Sequence, residues 1–238
     1  MVALCAGLLA APAAAQTPPA APASSAPDPT PEPSSRPAQQ VTADFNYVFD
    51  GRSSLRAEMK QIYNRKDGTS VYFGEDLAFF HSTCGSNAFC SNVGGHDTDL
   101  RLGVQIANPD IFLALSSGNF AGNGASFAGL GFGLEKVARG EAPMELTASL
   151  FYFPSATGSY ACPVTGPPGF SCFTTPVSAQ TDFQIVRYSL GAHYQLGDKP
   201  FFVNVGIAGD NGRPNGGNAF QPIYMSHNGA YLGLGIKM

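Results

Sequence analysis

The amino-acid sequence predicts an all-β protein: an up-and-down antiparallel transmembrane β-barrel of eight to ten strands, preceded by a disordered Pro-rich N-terminal segment. Three observations carry this. Apolar and polar residues alternate in ten segments bounded by turn signals. Short and long connections between those segments themselves alternate along the chain. The polar faces carry Gly and a few charges of both signs, where a soluble sheet would carry many Lys, Glu, Thr and Ser.

The chain opens MVALCAGLLAAPAAAQ, a short apolar run followed by Ala13-Ala14-Ala15, an A-x-A-type cleavage site. Residues 1–15 are therefore expected to be a signal peptide, although no Lys or Arg precedes the run. A lipoprotein reading of Leu4-Cys5 fits poorly, because Cys5 lies too near the start and follows Leu. Residues 16–40, including TPPAAPASSAPDPTPEPSSRPAQQ, hold no large apolar side chain. Such a segment buries too little surface to offset its ordering entropy, so it reads as a disordered Pro/Ala/Ser-rich linker. Residues 41–238 remain for one barrel domain.

Charged residues make up 13% of the chain, about half the usual share, and the net charge of −4 gives no footprint for a nucleic-acid partner. No apolar run approaches the length of roughly 18 residues that a membrane helix needs.

In order, the alternating segments are about 41–49, 54–63, 70–80, 99–107, 110–118, 127–138, 143–153, 183–196, 200–209 and 229–238. NRKDGT (64–69), Asn108-Pro109, 139–142 and 197–199 read as tight turns. Long loops are expected at 81–98, 119–126, 154–182 and 210–228. A meander with turns at one end and loops at the other produces this rhythm. The first segment is the weakest, because 50–53 is short for the loop side.

Two faces emerge. Leu100, Leu102, Val104 and Ile106 oppose Asp99, Arg101, Gly103 and Gln105; Ala128, Leu130, Phe132 and Leu134 oppose Gly129, Gly131, Gly133 and Glu135. Small residues suit a crowded concave interior. The inward set is expected to hold an ion-pair network of Arg56, Lys60, Arg101, Arg187 and Lys237 against Glu58, Asp99, Glu135 and Glu145, with His193 hydrogen-bonded among them. Phe45, Tyr47 and Phe49, Phe79-Phe80, Phe151-Tyr152-Phe153 and Phe201-Phe202 fall near strand ends, where aromatic girdles form.

On these features residues 41–238 resemble the small bacterial outer-membrane β-barrel proteins, the OmpA-, OmpX- and OmpW-like class. TADFNYVFDG (42–51) is similar to the N-terminal strand of TorF-type porins. The resemblance implies an outer-membrane location, contact with outer-membrane lipid, and recognition by the barrel-assembly machinery. The class usually ends in an aromatic residue, whereas this chain ends GAYLGLGIKM.

Candidate chemistry is sparse. Once Cys5 leaves with the signal, Cys84, Cys90, Cys162 and Cys172 remain, an even number in an oxidising compartment. Cys84–Cys90 and Cys162–Cys172 are the economical disulfides among three pairings, each pinning one long loop. The alternative is zinc on His81, Cys84, Cys90 and His96, whose ligand types fit but whose spacing does not match a zinc finger. His96-Asp97-Thr98-Asp99 and Ser226-His227 are the candidates for hydrolysis, without a Gly-x-Ser-x-Gly or second Asp-x-His partner. GDNGRPNGGNAF (209–220) offers calcium only Asp210, and FAGLGFGLE lacks the Lys and helix of a phosphate loop.

The functional expectation is a non-enzymatic outer-membrane scaffold or narrow porin-like channel, with no cofactor and no catalytic residue assigned. The linker would dock a periplasmic or assembly partner. A lipid-modifying or proteolytic barrel enzyme and a secreted or periplasmic β-sandwich binding protein are the alternatives.

Overall fold

A computed structural model describes residues 37–50, 54–82, 93–122, 125–161, 178–215 and 226–238. Ten strands run in order: β1 (Gln39–Phe49), β2 (Ser54–Asn64), β3 (Ser70–Ser82), β4 (Val93–Ala107), β5 (Ile111–Gly122), β6 (Ala125–Lys136), β7 (Met144–Ala161), β8 (Ser178–Gln195), β9 (Phe201–Pro214) and β10 (Ser226–Lys237). Every strand pairs antiparallel with the next, and β1 pairs with β10, so the sheet closes on itself. Closure leaves no edge, which is what lets such a sheet stand in a medium without water. The up-and-down antiparallel barrel expected from the sequence is the one observed, with ten strands.

Four connections lie at one end of the barrel, at 65–69, 108–110, 137–143 and 196–200. The first is tied by Thr69, whose amide and hydroxyl donate to Asp67 at 2.9 and 2.6 Å and hold its carboxyl below the usual range. In the second, Asp110 takes a left-handed φ of 53°.

At the other end the strands run further than expected. The loop placed at 81–98 shortens, because Phe80, His81 and Ser82 pair with Gly95, Gly94 and Val93. The loop placed at 119–126 is mostly ladder, from Asn119↔Ala128 to Gly122↔Ala125. β7 and β8 continue to Ala161↔Ser178, and β9 runs on to Pro214, so Asp210 lies in a strand. The physical reason is that the outer face of these extensions carries no large apolar side chains among the described residues. Apolar alternation marks a strand only where one face meets an apolar medium.

The two faces differ sharply. Every strand turns large apolar side chains outward, including Phe45, Leu55, Phe79, Leu102, Leu115 (68% exposed), Leu130 (74%), Leu146, Leu190, Val205 and Leu234. The core lies inside, where Ile62, Tyr72, Phe112, Phe127, Phe151, Phe153, Phe183 and Ile185 are buried. Four residues assigned to aromatic girdles are thus inside instead: Phe80, Phe151, Phe153 and Phe202. In Phe79-Phe80 and Phe201-Phe202 strand geometry sends one ring out and its neighbour in.

The inward glycines make room for these rings. A Cβ on Gly131 would stand 2.7 Å from the Phe153 ring, and one on Gly118 would stand 2.9 Å from it. Phe153 and Phe120 then meet edge to face with centroids 5.5 Å apart.

Candidate functional site

The barrel interior is filled by an ion cluster with Arg101 of β4 at its centre. Its Nη1 stands 2.9 Å from Glu58 Oε1, its Nη2 3.0 Å from Asp76 Oδ2, and its Nε 3.0 Å from Asp99 Oδ2. Glu135 Oε2 is 3.5 Å from Nη1, and the guanidinium lies 4.7 Å from the centre of the Phe151 ring. A planar fork with five donors is suited to collecting several carboxylates at once.

Lys60 extends the cluster, its Nζ 3.0 Å from Glu58 and 2.7 Å from Glu135. Tyr72 donates its hydroxyl to Glu135 at 2.6 Å. Arg56 pairs with Asp76, its Nε donating to Oδ1 at 2.8 Å. Toward the loop end, Arg187 donates to Asp210 at 2.7 and 3.0 Å and lies 3.4 Å from Asp97 and 3.5 Å from Asp99. Its guanidinium is 4.9 Å from the Phe120 ring centre.

Of the ten residues expected in this network, the structure brings together Arg56, Glu58, Lys60, Asp99, Arg101, Glu135 and Arg187. The other three face inward but do different work. Glu145 accepts hydrogen bonds from the amides of Arg139, Gly140, Glu141 and Ala142. Lys237 donates to the Gly140 carbonyl at 3.0 Å. His193 stacks on Phe202 with centroids 4.5 Å apart.

Three carboxylates of the cluster, Asp76, Asp97 and Asp210, were not expected there. With them the described cluster holds more carboxylates than cations, so its charges are not evenly balanced. Asp76 follows Glu75, and alternation alone does not say which of two adjacent acids points inward. Asp97 and Asp210 lie above the apolar band, where the pattern that reveals facing is lost.

The connection between β6 and β7 was expected to be a plain tight turn, but it folds into the barrel mouth. Val137, Ala138 and Arg139 are all buried. Arg139 Nε is 2.7 Å from Asp110 Oδ1, its Nη1 donates to Asn64 at 2.7 Å, and its Nη2 donates to Ser70 at 3.0 Å. Its carbonyl accepts from the Gln40 amide. One residue thus ties together the short-turn end: its guanidinium holds β2, β3 and the connection before β5, and its carbonyl holds β1. The sequence signal is Val137-Ala138, two apolar residues in succession that run past the alternation of β6, followed by Arg139.

Little space remains. Among the described residues, cavities of about 30, 20 and 10 Å³ lie in the interior. A water needs roughly 10–15 Å³ on this measure, so each has room for at most one or two waters. The 30 Å³ cavity is lined by residues that include Asp44, Asn46, Thr147, His193, Asn204 and Tyr231.

His96, Asp97 and Asp99 are not assembled for hydrolysis. His96 faces outward on β4 while Asp97 and Asp99 face inward against Arg187 and Arg101, so the ring and the carboxylates stand on opposite sides of the sheet. His81 also faces outward. Cys84, Cys90, Cys162 and Cys172 lie outside the described residues, as do the side chains of Ser226 and His227. The proposed disulfides and zinc set are therefore not placed.

No family model matches this chain, and no curated protein matches it. Among solved structures it is similar to the N-terminal β-barrel domain of Pseudomonas aeruginosa OprF, with 12% identity, 84% of this chain and 96% of that one covered, and a TM-score of 0.31. It is also similar to the copper transporter OprC, with 15% identity, 82% of this chain and 34% of that one covered, and a TM-score of 0.33.

Proposed function

We propose that the chain is an outer-membrane β-barrel that acts as a lipid-embedded scaffold presenting external loops, with a closed interior instead of a water-filled channel. The carrying observation is the pairing of an apolar outer face on all ten strands with a charged cluster sealed inside. In water that arrangement is inverted, and each exposed Leu or Phe would forgo about 1.5–3 kcal/mol of burial. In lipid it is the favourable one.

The scaffold reading is preferred to the porin-like one because side chains occupy the interior down to cavities of about 30 Å³. In this reading residues 1–15 direct export, residues 16–40 tether the periplasmic end to an assembly or envelope partner, and disulfides pin the external loops. The test is to express the full chain in a Gram-negative host and extract its outer membrane with detergent. Partitioning with the membrane and heat-modifiable gel migration are expected. Recovery as a soluble protein in plain buffer overturns the barrel reading, and regular conductance steps in planar bilayers overturn the closed interior.

A further inference from the structure

Two histidines come together on the outer face where β3 and β4 approach the loop end. In their ladder Phe79 stands opposite His96 and His81 opposite Gly94, so His81 and His96 occupy neighbouring positions on one diagonal. Both are exposed and point outward, just beyond the last large apolar side chains of their strands, Phe79 on β3 and Leu100 on β4. Diagonal neighbours lie about 7–8 Å apart along the backbone, with their Cβ atoms somewhat closer. The rings lean over the ladder between them. His81 Nδ1 lies 3.7 Å from where a Cβ on Gly94 would stand, so this imidazole reaches toward β4 over a position with no side chain of its own. The His96 ring lies 6.5 Å from the Phe79 ring, centre to centre, on the β3 side. The cross-strand neighbours of His96 are Phe79 and Ala121, neither of which competes for its nitrogens.

We propose that His81 and His96 form a two-histidine site for a divalent late transition metal, with its remaining coordination positions open to water at the rim of the barrel. Neutral imidazole is a ligand for copper, zinc and nickel. A metal with bonds of about 2.0–2.1 Å holds two imidazole nitrogens roughly 3–3.5 Å apart, and rotation of two exposed side chains reaches that separation from a diagonal pair. The ladder fixes the backbone beneath both rings, so the chelate forms without ordering a loop. Gly94 keeps the space between the imidazoles open; a long side chain there would fill it. The affinity order for such a nitrogen site makes Cu²⁺ the tightest ion, with Zn²⁺ and Ni²⁺ weaker. Ca²⁺ and Mg²⁺ require oxygen ligands that the pair does not supply. The site needs the barrel fold alone, so it goes beyond the scaffold reading and does not depend on the medium around the apolar band.

The experiment is a Cu²⁺ titration of the full chain, folded in detergent micelles with any free cysteine alkylated and with glycine present to compete for weak sites. Calorimetry gives the affinity, electron paramagnetic resonance counts the nitrogens on the bound ion, and heat-modifiable migration reports folding in every sample. The wild type is expected to bind one Cu²⁺ through two imidazole nitrogens. His81→Ala and His96→Ala should each stay folded yet lower the affinity at least tenfold. The double variant should lose little more than either single one, because a chelate fails when one arm is removed. His227→Ala, which removes an imidazole elsewhere in the chain, should bind like the wild type. A folded wild type that binds Cu²⁺ no tighter than the double variant overturns the inference. So does a spectrum with a single nitrogen, or binding that survives His81→Ala and His96→Ala but falls with His227→Ala.

Discussion

Arg139 and Asp110 belong to different connections, yet they meet inside the barrel mouth with Nε 2.7 Å from Oδ1. The pair closes the short-turn end, because the same guanidinium also bonds Asn64 and Ser70. Removing one member of a buried pair typically costs about 3–5 kcal/mol, since the other charge is left without compensation. Arg139→Ala should therefore lower the urea midpoint for unfolding of the reconstituted barrel. It should also introduce conductance steps in planar bilayers where the parent is silent. Asp110→Asn keeps the side-chain volume and should destabilise without the same gain in conductance.

Arg101 holds four carboxylates, from Glu58, Asp76, Asp99 and Glu135. Arg101→Met leaves these acids facing one another and should destabilise the barrel by about 3–5 kcal/mol. Adding Asp99→Asn removes one of the stranded charges. The double variant should be more stable than the sum of the two single effects, by roughly 0.5–3 kcal/mol in a double-mutant cycle. Additive effects would show that Arg101 and Asp99 do not share a network.

These two clusters were not equally legible in the sequence. Arg101 lies between Leu100 and Leu102, so alternation assigned it inward, and the same logic reached Arg56, Lys60 and Arg187. Asp76 was hidden because Glu75-Asp76 presents two acids in succession, one on each face. Asp97 and Asp210 were hidden because β4 and β9 continue above the apolar band, where polar residues occupy both faces. Arg139 was hidden for a different reason: its segment is not part of the ladder, and its path depends on contacts with Gln40, Asn64, Ser70 and Asp110 that are remote in sequence.

Gly103 tests whether small residues on the inner face are required for packing. A Cβ there would collide with the Tyr72 ring, which is fully buried and donates to Glu135. Gly103→Val should destabilise by about 1–3 kcal/mol through overpacking. Shortening the ring with Tyr72→Ala in the Gly103→Val background should recover part of that loss. By contrast, Gly103→Val should be neutral if the ring has free space to move into, and unfolding midpoints in the same lipid decide between the two.

Leu102 separates lipid from water as the medium outside the barrel. It is 62% exposed on β4, between Leu100 and Val104 on the same face. On a soluble barrel Leu102→Arg would be close to neutral, because an exposed side chain that touches little contributes little to folding. In a bilayer the same change near mid-depth costs about 2–4 kcal/mol, as no snorkelling path is short enough to hydrate the guanidinium fully. The variant should therefore insert more slowly into vesicles and unfold at lower urea than the parent. Leu102→Ile, which keeps the apolar surface, serves as the control. An Arg variant with unchanged stability in lipid would mean that the outer face of β4 is covered by something other than hydrocarbon.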